Sequence, residues 1–295
     1  MDRRSVLVGA LGLAALPARA LESQQPAAGA FDLARPGDAL RALVKMRGDL
    51  GGAPAAWVWG GTIWSHVPGE PARKLFLYDA FSVCRFEAYK DGFRLLNREC
   101  GFYRDPVGGE ILKRWRNPFL GYDVEVMHRF NEHVNAELLP GGPFAAIPTV
   151  VVGNDIWWRL EVFYLRPSPL TRAEFPLNVQ SDSYQGAEIY FYHARLSELQ
   201  DPATRTIAAD VAWTRLGQWE PFMEMGNRPG EMVFHAAGKR LTSGPEELRQ
   251  VNPPMFDLLQ SRYPEYLEPP REFVPGTVSQ WDAFREWQRD RDKRR

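Results

Sequence analysis

The chain reads as mainly β: an antiparallel β-barrel or barrel-like sheet of the calycin kind, with short peripheral helices near both ends. Three observations carry this expectation. From Trp57 to about Leu241, short segments rich in aromatic and β-branched residues follow one another, and such side chains suit a pleated, half-buried surface. Turn signals separate them, among them Lys90-Asp91-Gly92, Asp105-Pro106-Val107-Gly108-Gly109 and Gly153-Asn154-Asp155. Finally, 29 of the 37 aromatic residues lie between Trp57 and Phe234, so the aromatics track the strands. No repeat of fixed period is visible, which argues against a propeller.

The elements follow in order. Residues 1–20 have the layout of a secretory signal: Arg3 and Arg4, an apolar run from Val6 to Leu16, then Ala18-Arg19-Ala20. The run is too short to span a bilayer as a helix. The arginine pair, with Leu7 behind it, resembles the twin-arginine export signal, although Asp2, Val6 and Val8 depart from its usual flanks. Cleavage after Ala20 and export to the periplasm are expected, with the twin-arginine translocase as a transient partner. An ordinary secretory signal that happens to carry two arginines is the alternative. Losing Asp2, Arg3, Arg4 and Arg19 takes the formal net charge from −1 to −3.

Residues 21–30 form a Gln/Ala/Pro linker, and 31–295 a single domain. A helix is expected over Asp38–Arg47, with Leu40, Leu43 and Val44 on one stripe. Strands are expected over 74–89, 93–104, 110–115, 124–130, 149–152, 156–165, 188–194, 208–215 and 231–237, led by Trp57-Val58-Trp59 and Ile63-Trp64. From about residue 243 the chain turns helical. Pro254 opens one helix, and Ser279-Gln280-Trp281-Asp282 resembles a capping box before another. Trp281, Phe284 and Trp287 then form a stripe that docks on the sheet or plugs one end of a barrel.

Composition excludes several functions. A hydrophobic fraction of 44% is too high for a disordered chain. A near-neutral charge does not suit a nucleic-acid binder, which must displace counterions from phosphates. No later stretch is long and apolar enough for stable membrane insertion. Two cysteines are too few for a disulfide scaffold. Cys84 and Cys100 stand eight residues either side of Gly92. A hairpin there would set them nearly opposite, leaving either a cross-strand disulfide or two buried thiols. The G-x-S-x-G, P-loop, G-x-G-x-x-G and H-E-x-x-H motifs are all missing.

These features point to an exported protein that holds a hydrophobic or aromatic small molecule in its interior, with no cofactor. An aromatic and methionine lining with a few charges suits such a pocket. Trp158, Tyr192, His193, Trp213, Trp219 and His235 are the candidate ligand-binding residues. Core packing is the competing reading of each. Trp157 and Trp158 point to opposite faces, so only one of them can line a cavity. A second reading is a cofactor-independent lyase or isomerase using His128, Arg215 and Glu224. His128 shares a strand face with Val124, Val126 and Phe130, so it should look inward. A third reading converges His128, His193 and His235 on a metal.

The segments Trp115 to His128, Trp213 to Leu241 and Leu43 to Gly48 resemble the bacterial and fungal family named domain of unknown function 1838. The resemblance spans most of the chain that follows the signal. It implies no activity and no catalytic residues.

Overall fold

The computed structural model describes residues 32–145, 147–276 and 278–293. The signal peptide and linker expected over 1–30 lie outside the described residues. Helix α1 (Pro36–Arg47) comes first. Pro36 opens it, Asp38 lies in its first turn and Lys45 and Arg47 in its last, as the helix dipole favours. Strands β1 (Ala55–His66), β2 (Arg73–Tyr89) and β3 (Gly92–Arg104) form a meander. Four short strands follow: β4 (Arg114–Arg116), β5 (Asp123–Glu125), β6 (Arg129–Asn131) and β7 (Ala136–Leu138). Then come β8 (Thr149–Val152), β9 (Asp155–Pro167), β10 (Ser183–Arg195), α2 (Leu196–Gln200), β11 (Asp210–Gly217) and β12 (Glu231–Leu241). Helices α3 (Leu248–Val251), α4 (Pro253–Arg262) and α5 (Gln280–Lys293) end the described chain.

One sheet runs in the order β6-β3-β2-β1-β12-β11-β10-β9-β8, with β7 also on β3, and β4 pairs with β5 apart from it. Every pairing is antiparallel. The mainly β expectation holds at that level. Barrel closure does not: among the described residues the path ends at β6 and β7 on one side and at β8 on the other. The sheet instead curls, so that side chains of β3 line one cavity with side chains of β9 and β10. Register puts Trp57, Ser82 and Glu99 in one cross-strand row of this concave face, and Leu160, Tyr190, Trp213 and Ala236 in another. Small residues at its centre permit the bend. A Cβ at Gly61 would lie 2.0 Å from the His235 carbonyl oxygen, and one at Gly101 would lie 1.9 Å from the Tyr78 hydroxyl.

Helices close both ends of the concave face. At one end α1 packs Leu43 and Met46 with Trp57, Trp158 and Tyr192. The other side of α1 packs Leu40 and Val44 with Cys84, Phe86 and Leu95. At the far end α5 inserts Trp281 and Phe284 among Phe76, Tyr103, Trp213 and Phe234. The C-terminal stripe therefore plugs one end of the sheet, though Trp287 is only partly buried. Its cap uses the reach-back half of a capping box: Ser279 N–H and Oγ–H both donate to Asp282. On the convex face α3 and α4 lay Leu248, Phe256 and Leu259 against Phe81, Val83 and Phe102.

Three expectations need correction. The strand expected over 110–115 is a lone bridge from Arg104 to Ile111 followed by β4. The strand expected over 124–130 is broken into β5, which pairs with β4, and β6, which pairs with β3 in the main sheet. The third concerns where the cysteines lie: Cys84 and Cys100 are both free and buried, as the buried-thiol alternative has it, but they are not opposite each other. The two-residue turn between Tyr89 and Gly92 pairs Cys84 with Asn97 and Cys100 with Phe81. The cysteines are thus three positions out of register and on opposite faces, which rules out the geometry a bridge needs.

Lys45 shows how α1 is anchored. Its buried ammonium donates to the carbonyls of Glu198 (2.9 Å), Leu199 (2.7 Å) and Asp201 (2.7 Å), which gathers the C-terminal end of α2. Helix carbonyls lack intrahelical donors there, and a cation is well placed. Replacing Lys45 with Met should cost about 2 kcal/mol, since the stem still packs but the charged donor is gone. Urea denaturation of the two proteins measures this; equal midpoints would show that α2 needs no such clamp.

Candidate functional site

Between the two end-closures the concave face encloses a cavity of about 220 Å³. Its walls are aromatic. Trp57 meets Tyr192 edge-on at 5.6 Å, and Trp59 meets Trp213 edge-on at 6.5 Å. Tyr190 and Tyr192 lie parallel at 5.9 Å. Leu160, Val162, Val211, Leu95 and Phe144 complete the apolar lining. A smaller void of about 60 Å³ extends it towards Tyr78, Cys100, Arg129 and Asn131, sharing Trp59, Glu99, Glu188, Tyr190 and Trp213 with the main chamber.

Polar groups enter this apolar chamber at a few points. Glu188 on β10 is held by several donors: Tyr190 hydroxyl (2.5 Å), Tyr164 hydroxyl (3.3 Å) and Trp213 Nε1 (3.3 Å), with Arg215 Nε 3.5 Å away. Glu99 on β3 has far less support. Its carboxyl accepts from Asn97 Nδ2 at 2.9 Å, and Asn97 is in turn fixed by Ser82 (3.0 Å) and Asn135 (3.0 Å). Burial, and then the charge of Glu188, push the Glu99 carboxyl above the ordinary glutamate range. Burial, with the Glu188 charge second, also holds the Tyr190 hydroxyl neutral well past its usual range. Arg47 enters from the end of α1 with its guanidinium 5.7 Å from the Tyr192 ring centre. The Arg47 Nε and Trp59 Nε1 donors are buried and have no hydrogen-bond partner in the protein.

Behind the chamber lies a buried charge cluster. Glu220 accepts from Gln280 Nε2, from Trp281 Nε1 (3.2 Å) and from Arg129 Nη1 (3.4 Å), and Arg215 Nη1 lies 3.6 Å away. Arg215 also donates to the Tyr184 hydroxyl at 2.6 Å. This cluster joins β6, β11, the turn after β11 and α5.

A family model for a protein of unknown function, DUF1838, matches residues 52–288. The chain belongs to the DUF1838 family. The match begins just before β1 and ends within α5, so it takes in the whole sheet and the plug behind the cavity. No curated protein matches the chain.

In this DUF1838 protein the expected site residues separate. Tyr192 and Trp213 line the cavity. Trp158 is buried beside it, in the cluster that α1 covers. Trp219 is buried against Phe119 and donates to the Arg228 carbonyl, away from the chamber. The three histidines are not brought together. His128 sits between β5 and β6, where its Nδ1 accepts from Tyr103 N–H at 3.2 Å. His193 lies on the convex face, 2.8 Å from Asp155. His235 shares that face and bonds Thr214 at 2.9 Å. Among the described residues no group of three or more His, Cys, Asp or Glu is placed to hold a metal. Of the proposed catalytic set, Arg215 faces Glu188 and Glu220, Glu224 binds Tyr122 and Arg291, and His128 touches neither. Glu99, Glu188 and Arg47 were not among the candidates. The signal that could have marked the two glutamates is a carboxylate inside an aromatic strand, as in Ala187-Glu188-Ile189-Tyr190 and Glu99-Cys100-Gly101-Phe102.

Proposed function

We propose that this protein is exported and holds a small, flat aromatic molecule in the concave face of its sheet. The observation that carries the reading is the chamber of about 220 Å³ walled by Trp57, Trp59, Trp213, Tyr190 and Tyr192. An apolar cavity of roughly 150 Å³ accommodates benzene, so this one has room for a larger ring system. A few fixed polar groups in an apolar lining are the usual composition of a small-molecule site, since they orient a ligand whose burial supplies the affinity. The Arg3-Arg4 signal supports export through the twin-arginine translocase. Among the described residues no helix is long and apolar enough to cross a membrane.

Three tryptophans line the chamber, so occupancy should quench their fluorescence. Titration with 2-naphthol is expected to give saturable quenching. Val162 lines the chamber at its exposed side. Val162→Trp should fill part of it and weaken 2-naphthol at least tenfold (about 1.4 kcal/mol) with an unchanged melting temperature. Quenching that never saturates, or that is indifferent to Val162→Trp, would sink the reading. A second reading, a cofactor-independent lyase or isomerase in the same chamber, is favoured by the unequal carboxylates Glu99 and Glu188.

A further inference from the structure

We propose that Glu99 is a proton-transfer base in this chamber, acting on the acidic C–H of a flat aromatic or conjugated carbonyl compound. The Nε–H of Arg47 and the Nε1–H of Trp59 would receive the charge that develops on the ligand. This rests on the binding reading above and adds a reaction to it.

The two carboxylates have environments that separate their tasks. Glu188 is surrounded by donors from Tyr190, Tyr164, Trp213 and Arg215, which occupy its oxygens. Glu99 has one donor among the described residues, Asn97 Nδ2, and lies half-buried in the chamber wall near Glu188. A poorly solvated carboxylate next to a like charge is a stronger base than a free one. The charged groups that face Glu99 are Glu188 on β10, Arg47 from α1 and Arg129 on β6. Tyr78 on β2 and Tyr190 and Tyr192 on β10 stand around it as neutral hydroxyls, held so by burial. The second requirement for carbon-acid chemistry is a donor where negative charge builds up. Arg47 Nε and Trp59 Nε1 are buried donors in this same lining, and neither is used by the protein.

The step balances without an oxidant or a cofactor. Glu99 takes the proton as the C–H bond breaks. The bonding pair moves through the conjugated system to the carbonyl oxygen, which becomes an enolate facing the two free donors. The O–H bond formed on Glu99 then breaks and its proton returns to a different carbon of the ligand. The product is an isomer.

The probe is 5-nitrobenzisoxazole, a fused-ring carbon acid. A base removes its C3 proton, the ring N–O bond breaks and the pair leaves on oxygen as a coloured phenolate. Binding is read separately by tryptophan quenching. The wild-type protein should open the probe with saturation, faster than acetate at equal concentration, and with a kcat that rises with pH as Glu99 ionises. Glu99→Gln should lower kcat by about 100-fold or more with little change in KM. Glu99→Asp should keep part of the rate, which separates lost chemistry from lost folding. Glu188→Gln removes the neighbouring anion, so the midpoint of the kcat profile should move to lower pH. A probe that quenches but is opened no faster than by acetate, or equally fast by Glu99→Gln, overturns the base and leaves the binding reading intact. A probe that does not quench while 2-naphthol still does also overturns the base, and failure of both compounds to quench removes both readings.

Discussion

Glu220→Gln is expected to destabilise the protein by about 3–5 kcal/mol, the cost of removing one partner from a buried ion cluster. Glu220 is fully buried, as is Arg215, and Arg129 is nearly so. The two guanidiniums converge on the one carboxylate, and both also stand over the Phe234 ring, at 5.0 Å for Arg215 and 5.6 Å for Arg129. The amide that replaces the carboxylate brings no charge to offset them. It also brings two N–H donors to a place where Gln280 and Trp281 already donate. Because those two residues open α5, the loss should reach the plug, and near-UV circular dichroism should change together with the urea midpoint. The pairwise nature of the cluster has its own signature. Arg129→Met combined with Glu220→Met should cost clearly less than the two single changes added together, since the double replacement leaves one fewer unmatched charge. Strict additivity would mean that the cluster is not a unit.

The location of this cluster explains why so much charge is buried in one place. The cavity needs a wall at the end that α5 covers, and that wall is built from the polar ends of long side chains on four segments. Arg215 links the wall to the chamber, because it touches Glu220 behind and Glu188 in front. A change at Glu220 is therefore expected to reach the electrostatics of the carboxylates in the cavity as well as the stability of the fold.

The sheet was legible in the sequence because both of its faces are rich in aromatic or β-branched residues, and its turns carry Gly, Asp and Asn. The C-terminal helix was legible for a related reason: Trp281, Phe284 and a capping Asp282 mark both its start and its buried stripe. The site was not legible, and the cause is physical. In a sheet with one wet face, polar residues at alternate positions mean solvent. Here α3 and α4 cover part of the convex face, and the concave face lines a chamber. Asn97 and Glu99 therefore look like solvent-facing positions of β3 although they point into the protein. Arg47 reads as an ordinary basic residue at a helix end, and only the packing of α1 over the sheet brings it to the cavity. The histidines misled for the converse reason. His193 and His235 sit on strands that face inward at every second position, and they occupy the other positions. Alternation fixes which residues share a face but says nothing about which face is inside.

His128 should make the protein lose about 3 kcal/mol of stability between pH 6.5 and pH 4, over and above what a variant with a neutral side chain there loses. Burial pushes its imidazole from the ordinary 6.5 down to about 4, while a hydrogen bond with the Leu112 backbone works weakly the other way. The ring is packed against Phe102 at 5.2 Å and Tyr103 at 6.1 Å, and its Nδ1 already accepts from Tyr103 N–H. A proton added at Nδ1 would face that N–H, so the charged ring loses a bond as well as its solvent. The sign follows from linkage. The folded-state value lies below the unfolded one, so in this window the unfolded chain binds more protons. Stability is then complete above pH 6.5 and falls as the pH drops towards 4. A shift of that size corresponds to about 3 kcal/mol at 1.36 kcal/mol per pH unit. His128→Gln keeps an acceptor for Tyr103 N–H and cannot take up a proton. Urea denaturation of both proteins at pH 7.5, 5.5 and 4 should give curves that diverge towards acid, the wild type losing more. Parallel curves would mean that β6 opens locally and lets the imidazole ionise in solvent. In that case the Tyr103–His128 contact is not part of the cooperative core.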